Sequence, residues 1–204
     1  MTVPGDDRDV GDGMEAWLRG QLLNQRQVVL RGPLDDEAAS RVAAELMLLD
    51  ATGDSAVQMQ IDSPGGPLRA ALTLVDTIGL MGVPVRAACV GRVEGSAVAV
   101  LAAAEHRSAS RHASFHLSEP SSSASGTAGE LSAWSRQRQI ELDRLAGVLS
   151  TATGRPLEHV EADISAGRWL DAEQALAYGL VHDILGAGRG TPPDRGRPFG
   201  FGPH

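Results

Sequence analysis

The chain contains no lysine: all 18 of its basic residues are arginine. That absence removes Schiff-base chemistry, the lysine of phosphate-cradling P-loops and Ser–Lys dyads. Cysteine occurs once, as Cys89, which excludes an intramolecular disulfide and a Cys-rich zinc cluster. Aromatic residues are only 3 % of the chain, whereas 29 of the 204 residues are alanine. A core built from them must bring helices close together on small side chains. No apolar run approaches the roughly 18 residues that a membrane span requires. Acidic residues outnumber basic ones 26 to 18, a net charge of −8, which argues against a nucleic-acid partner. The acidic, glycine-rich start, Met1 to Gly13, is unlike a positively charged signal peptide. None of the six histidines falls into a HExxH or C2H2 pattern, so no metal site and no cofactor are expected. These bounds describe a cytoplasmic α/β domain with an acidic surface and neither nucleic acid nor membrane as partner.

What is present is an alternation of short apolar runs and amphipathic stretches. Residues 1–13 carry no apolar periodicity and are expected to be flexible. Residues 186–204 are rich in Gly, Pro and Arg and read as a disordered tail. The domain is expected between them, over 14–185. Gln27 to Leu30 form a strand closed by Gly32-Pro33, and Asp35 and Asp36 offer caps to a helix with Val42, Leu46 and Leu49 on one face. Val57, Met59 and Ile61 alternate with polar residues, which is strand periodicity, and lead into Ser63-Pro64-Gly65-Gly66. A helix follows with Leu68, Leu72, Val75 and Ile78 on a common face. Val85, Ala87 and Cys89 mark a strand ending at Gly91, followed by a small-residue helix over 97–104. Phe115 and Leu117 share one strand face, which places Ser114, His116 and Ser118 on the other. His116 is the one histidine with a clear strand pattern. A Ser/Gly-rich loop over 121–129 precedes a long helix from Glu130 to Thr151. Two short helices close the domain, the second with Asp171 and Gln174 at capping-box spacing. Strands alternating with helices point to parallel βαβ-type units.

Two strand-to-helix junctions carry candidate chemistry. At Ser63-Pro64-Gly65-Gly66, successive glycines let backbone N–H groups approach a ligand and stabilise an oxyanion; the same four residues also make an ordinary turn. At Gly91-Arg92-Val93-Glu94-Gly95-Ser96, Ser96 stands where a nucleophile is often placed, and equally where a helix N-cap is placed.

The ordered motifs resemble the family of Clp protease proteolytic subunits, ClpP, from about Leu22 to Leu185. Leu30 to Glu37 (LRGPLDDE) is similar to the family's FLGGPIDDE segment, and Ile61-Asp62-Ser63-Pro64-Gly65-Gly66 to its INSPGG. Cys89-Val90-Gly91 stands for CIG, Thr153 to Leu157 for TGQPL, and Tyr178-Gly179-Leu180-Val181 for YGLID. The resemblance implies the α/β ClpP/crotonase fold: parallel ββα-type units with a protruding handle helix, here the one from Glu130. It also implies heptameric rings, formed with copies of itself or with other ClpP subunits, and an AAA+ unfoldase as partner.

The family's chemistry is serine-peptidase acyl transfer by a Ser-His-Asp triad. Matched motif by motif, its nucleophile position holds Gly95, its histidine position Ser118 and its aspartate position Gly167. The oxyanion-hole N–H groups correspond to Gly66 and Ser96. Family positions for substrate pairing and for ring–ring ion pairing hold Ser121-Ser122-Ser123 and Ser165-Ala166. The reading that follows is a catalytically inactive, structural or regulatory subunit of an ATP-dependent Clp protease. The alternative is an active serine endopeptidase with a displaced dyad, Ser96 and His116, for which Asp163 and Asp171 are the nearby acidic residues. Acyl-CoA chemistry on the shared fold is a third, remoter reading.

Overall fold

The computed structural model describes residues 7–120 and 124–186. Five strands form the main sheet in the order β1 (Gln27–Arg31), β2 (Val57–Ser63), β3 (Val85–Glu94), β4 (His106–Ser110) and β7 (Asp183–Leu185), all parallel to their neighbours. Helix α1 (Asp7–Asn24) leads into β1. Helices α2 (Asp36–Ala51), α3 (Leu68–Leu80) and α4 (Ala97–Ala102) form the crossovers. The parallel units expected from the alternation of patterns are therefore present. Asp35 caps α2 through a bond from the Ala38 N–H, 2.8 Å long. Val42, Leu46 and Leu49 of α2, Met59 and Ile61 of β2 and Leu74 of α3 meet in one continuous core. Alanine supplies much of the packing in α3 and α4, and every residue of α4 is buried.

Strand β3 runs past Gly91, where the sequence reading ends it, as far as Glu94. Its register against β2 shifts between Ile61 and Ser63. A Cβ at Gly91 would lie 2.6 Å from Asp62 Oδ1, and that oxygen accepts from the Arg92 N–H at 3.3 Å. The bare backbone of Gly91 lets the carboxylate sit against the strand, so the strand bends and continues. Before the bend β3 pairs with β4; beyond it, Arg92 to Glu94 pair with β5 (Ser114–Leu117). Strand β5 in turn pairs antiparallel with β6 (Arg168–Asp171).

Strands β4, β6 and β7 have no counterpart in the sequence reading. None alternates between buried and more exposed residues as β5 does, so no period marks them. His106 is consequently a second histidine on a strand, beside His116. Helix α1 begins at Asp7, inside the stretch expected to be flexible. Residues 1–6, the serines 121–123 and the tail from 187 lie outside the described residues, so the expectations placed on them concern sequence alone.

Helix α5 (Ala128–Thr153) starts from a complete capping box of Thr127 and Glu130, and ends on Gly154 in the left-handed region. Leu145, Ala146 and Leu149 bury its C-terminal half; Leu131, Trp134 and Ile140 remain 39–46 % exposed along its outer half. This is the protruding helix expected from the sequence. After α6 (Leu157–Ser165), α7 (Ala172–Tyr178) carries the expected capping box of Asp171 and Gln174. One buried side chain ties these helices together. The Arg107 guanidinium donates to the carbonyls of Leu180 and Ala152 at 2.8 Å, Ala104 at 3.2 Å and Gly179 at 3.3 Å. Those oxygens lie at or near the C-terminal ends of α4, α5 and α7, where helices leave carbonyls without internal donors.

Candidate active site

The site lies where the bent end of β3 meets α4, facing β5 and the turn before β6. Gly95 occupies the turn with φ +53°, a backbone conformation that costs a residue with Cβ about 1–2 kcal/mol. The Gly95 N–H donates to the His116 carbonyl at 2.9 Å, fixing the turn against β5. A Cβ at Gly95 would point toward Ser118 Oγ, 3.8 Å away. Gly167, with φ +65°, forms the turn between α6 and β6, and a Cβ there would lie 3.4 Å from His116 Nε2. The fold thus sets Gly95 beside Ser118 and Gly167 beside His116. Neither glycine carries a side chain, so Ser118 and His116 are the side chains that face these two turns.

Ser96 is fully buried. Its Oγ accepts from the Gly66 N–H at 3.0 Å and donates its own proton to the Gly66 carbonyl at 2.8 Å. It stands at the N-cap position of α4 without a side-chain capping bond. The Gly66 N–H, one of the two expected oxyanion donors, is already occupied by the Ser96 hydroxyl. The glycines at this junction are also required by packing. A Cβ at Gly66 would lie 2.0 Å from the Leu34 carbonyl oxygen, and one at Gly65 (φ +81°) 2.5 Å from the Glu94 oxygen. Ser63 Oγ accepts from the Gly65 N–H at 3.1 Å, and the Leu34 N–H donates to the Gly65 carbonyl at 3.1 Å.

His116 lies opposite Trp169 across the β5–β6 pair, and the two rings stack with centroids 4.1 Å apart and planes 8° from parallel. Its ring has no hydrogen-bond partner among the described residues. The acidic neighbours are engaged elsewhere. Asp163 takes Arg168 Nη1 at 2.9 Å and the Tyr178 hydroxyl at 2.8 Å, and Asp171 caps α7 by accepting from the Gln174 N–H at 2.8 Å. Burial, with the bond to Asp163 second, pushes the Tyr178 phenol up to about 12. Glu119 stands 3.8 Å from Arg138. Cys89 is buried, and desolvation pushes its thiol up to about 11, so at neutral pH it is no thiolate nucleophile.

The Trp169 stack and the Arg107 hub had no signal in the sequence. Both depend on strand pairings made across long separations. A pattern of alternating Arg-Trp-Leu-Asp at 168–171 is compatible with a strand, but its partner is set only by the tertiary fold.

The Clp protease family model matches residues 12–188. The chain belongs to the Clp protease family. Among this family's members, ATP-dependent Clp protease proteolytic subunit 1 of Streptomyces coelicolor (strain ATCC BAA-471 / A3(2) / M145) is 28 % identical over 194 residues, covering 94 % of this chain and 89 % of that protein. The resemblance thus spans the full architecture, from α1 to β7, and the mostly parallel α/β sheet is that of a ClpP-family member. No helix among the described residues is long and apolar enough to cross a membrane.

Proposed function

We propose that this ClpP-family chain is a subunit that does not itself hydrolyse peptide bonds, and that it serves a structural or regulatory role in heptameric rings shared with active ClpP subunits, served by an AAA+ unfoldase. The observation that carries the reading is Gly95 at the strand-to-helix turn, the position to which the family resemblance assigns the nucleophile. A glycine offers no oxygen or sulfur to acylate, and Ser118 beside it is no base near neutral pH. The double bond between Ser96 and Gly66 supports the same reading. It commits the nearest buried hydroxyl to the backbone and occupies a donor that an oxyanion would need. The exposed apolar residues of α5 support a role in assembly, because apolar surface on a projecting helix is stabilised by a partner surface.

The test uses the full chain purified from a host lacking its own ClpP. Exposure to a serine-directed fluorophosphonate and to a fluorogenic peptide is expected to give neither label nor turnover. Co-expression with an active ClpP subunit is expected to return mixed rings on affinity purification. Labelling of Ser96, with peptide turnover lost in both Ser96→Ala and His116→Ala, would replace this reading with the displaced dyad.

A further inference from the structure

Glu45 is out of place among its neighbours. It is only 9 % exposed, on a helix whose other buried residues are alanine, valine and leucine. From α1, Arg19 Nε stands 3.5 Å from Glu45 Oε1. That is near enough for attraction between charges but makes no hydrogen bond. Oε1 is shielded from solvent and has no hydrogen-bond partner among the described residues. A buried carboxylate held in this way is costly as long as it stays charged. The charged groups that face it are Arg19 from α1 and Arg41, one turn earlier on α2. The Arg19 side chain is itself 45 % exposed, so water screens its pull on Glu45.

Helix α1 has little else to hold it. Leu23 packs against the core, whereas Met14, Trp17 and Leu18 are 47–58 % exposed. An element with few buried apolar contacts opens locally at small cost. We propose that Arg19 and Glu45 form a proton-controlled latch that sets how firmly α1 is seated on α2, the seat being tightest when Glu45 is protonated. With α1 lifted, water reaches Glu45 and its carboxyl titrates as an ordinary glutamate. With α1 seated, burial pushes the carboxyl above that range, and Arg19 and Arg41 offset the burial only in part. The seated state therefore binds the proton more tightly. Seating is strongest below the ordinary glutamate value of about 4.3 and weakens as pH rises through the raised value. At neutral pH the ionised carboxylate strains the contact, and the Arg19 charge keeps it from failing.

The test follows backbone hydrogen exchange of the full chain by peptide mass spectrometry. Rates are corrected for the intrinsic effect of pH, and the amides of β2 measure opening of the whole fold. His182 acts in the opposite sense on overall stability, which the β2 reference removes. Between pH 7.5 and about pH 5, peptides covering residues 16–24 are expected to gain protection several-fold relative to β2. Glu45→Gln keeps the shape without the charge. It is expected to show that higher protection already at pH 7.5 and to lose the pH dependence. Arg19→Gln is expected to lower α1 protection at pH 7.5 when Glu45 is present, and far less beside Glu45→Gln. Unchanged or faster α1 exchange in Glu45→Gln at pH 7.5 would overturn the proposal. So would a pH dependence that survives this substitution, or an Arg19→Gln effect of equal size in both backgrounds.

Discussion

The Ser96 hydroxyl meets both backbone groups of Gly66, accepting from its N–H at 3.0 Å and donating to its carbonyl at 2.8 Å. One buried side chain therefore satisfies two polar groups of the turn in front of it. Ser96→Ala removes both partners at once and leaves them short of bonds, at a cost of about 1–3 kcal/mol. Denaturant unfolding of the variant is expected to show a lower midpoint with an unchanged slope. An unaffected midpoint would mean that water replaces the hydroxyl without loss.

Gly95 and Gly66 belong to the same junction but answer to different constraints. Gly95→Ser meets nothing closer than Ser118 Oγ, 3.8 Å from the new Cβ. Its cost is the left-handed backbone alone, about 1–2 kcal/mol. The variant is expected to fold, to lose a few degrees of melting temperature and to remain without peptide turnover, since triad members act as a unit. Turnover by Gly95→Ser alone would show that a base already faces position 95.

Gly66→Ala, in contrast, sets a methyl 2.0 Å from the backbone oxygen of Leu34. Backbone cannot swing aside as a side-chain tip can. Loss of soluble folded protein is expected, or a melting temperature far below that of Gly95→Ser. Comparable stability of the two variants would contradict this account of the packing.

His182 makes stability pH-dependent. Its Nδ1 accepts from the Arg107 N–H at 3.0 Å, which requires that nitrogen to be unprotonated. Burial, then the charge of Arg107 and the nearby His106, lower its pKa below the usual histidine value; Asp183 opposes them more weakly. A histidine lowered in the fold binds fewer protons than when unfolded, so stability is full above the unfolded pKa of about 6.5 and falls as pH drops from there toward the lowered folded value. Thermal melts between pH 7.5 and 5 are expected to show this loss. His182→Asn keeps an acceptor near Nδ1 without the titration, and is expected to flatten the profile over the same window.

Arg107 holds four backbone carbonyls with one buried guanidinium. Arg107→Met keeps much of the stem but withdraws the donors from four carbonyls near the ends of three helices. The expected loss is roughly 3 kcal/mol or more, since each orphaned buried acceptor costs about 1–3 kcal/mol. Urea unfolding measures it, and a loss below about 1 kcal/mol would show that solvent reaches those oxygens.

The sequence by itself determined the local elements whose physics is local. Alternation at 57–61 and helical spacing of Val42, Leu46 and Leu49 required only that one side of each element be buried, and they mark β2 and α2. The Asp171 and Gln174 capping box is a three-residue interaction, legible without a fold. The identities of Gly95, Ser118 and Gly167 were equally legible, since they concern which atoms exist. Tertiary structure decided what those atoms meet. Gly91 reads as a strand end until Asp62 is seen lying against it, from which point β3 bends to join β5. Ser96 reads as cap or nucleophile from its junction alone, and only the fold shows its hydroxyl meeting Gly66, thirty residues earlier, in two bonds. His116 is a lone histidine until antiparallel pairing sets Trp169 on its ring and Gly167 at its edge. In each case the deciding partner is distant in sequence, and a short-range pattern carries no information about a contact made across a sheet.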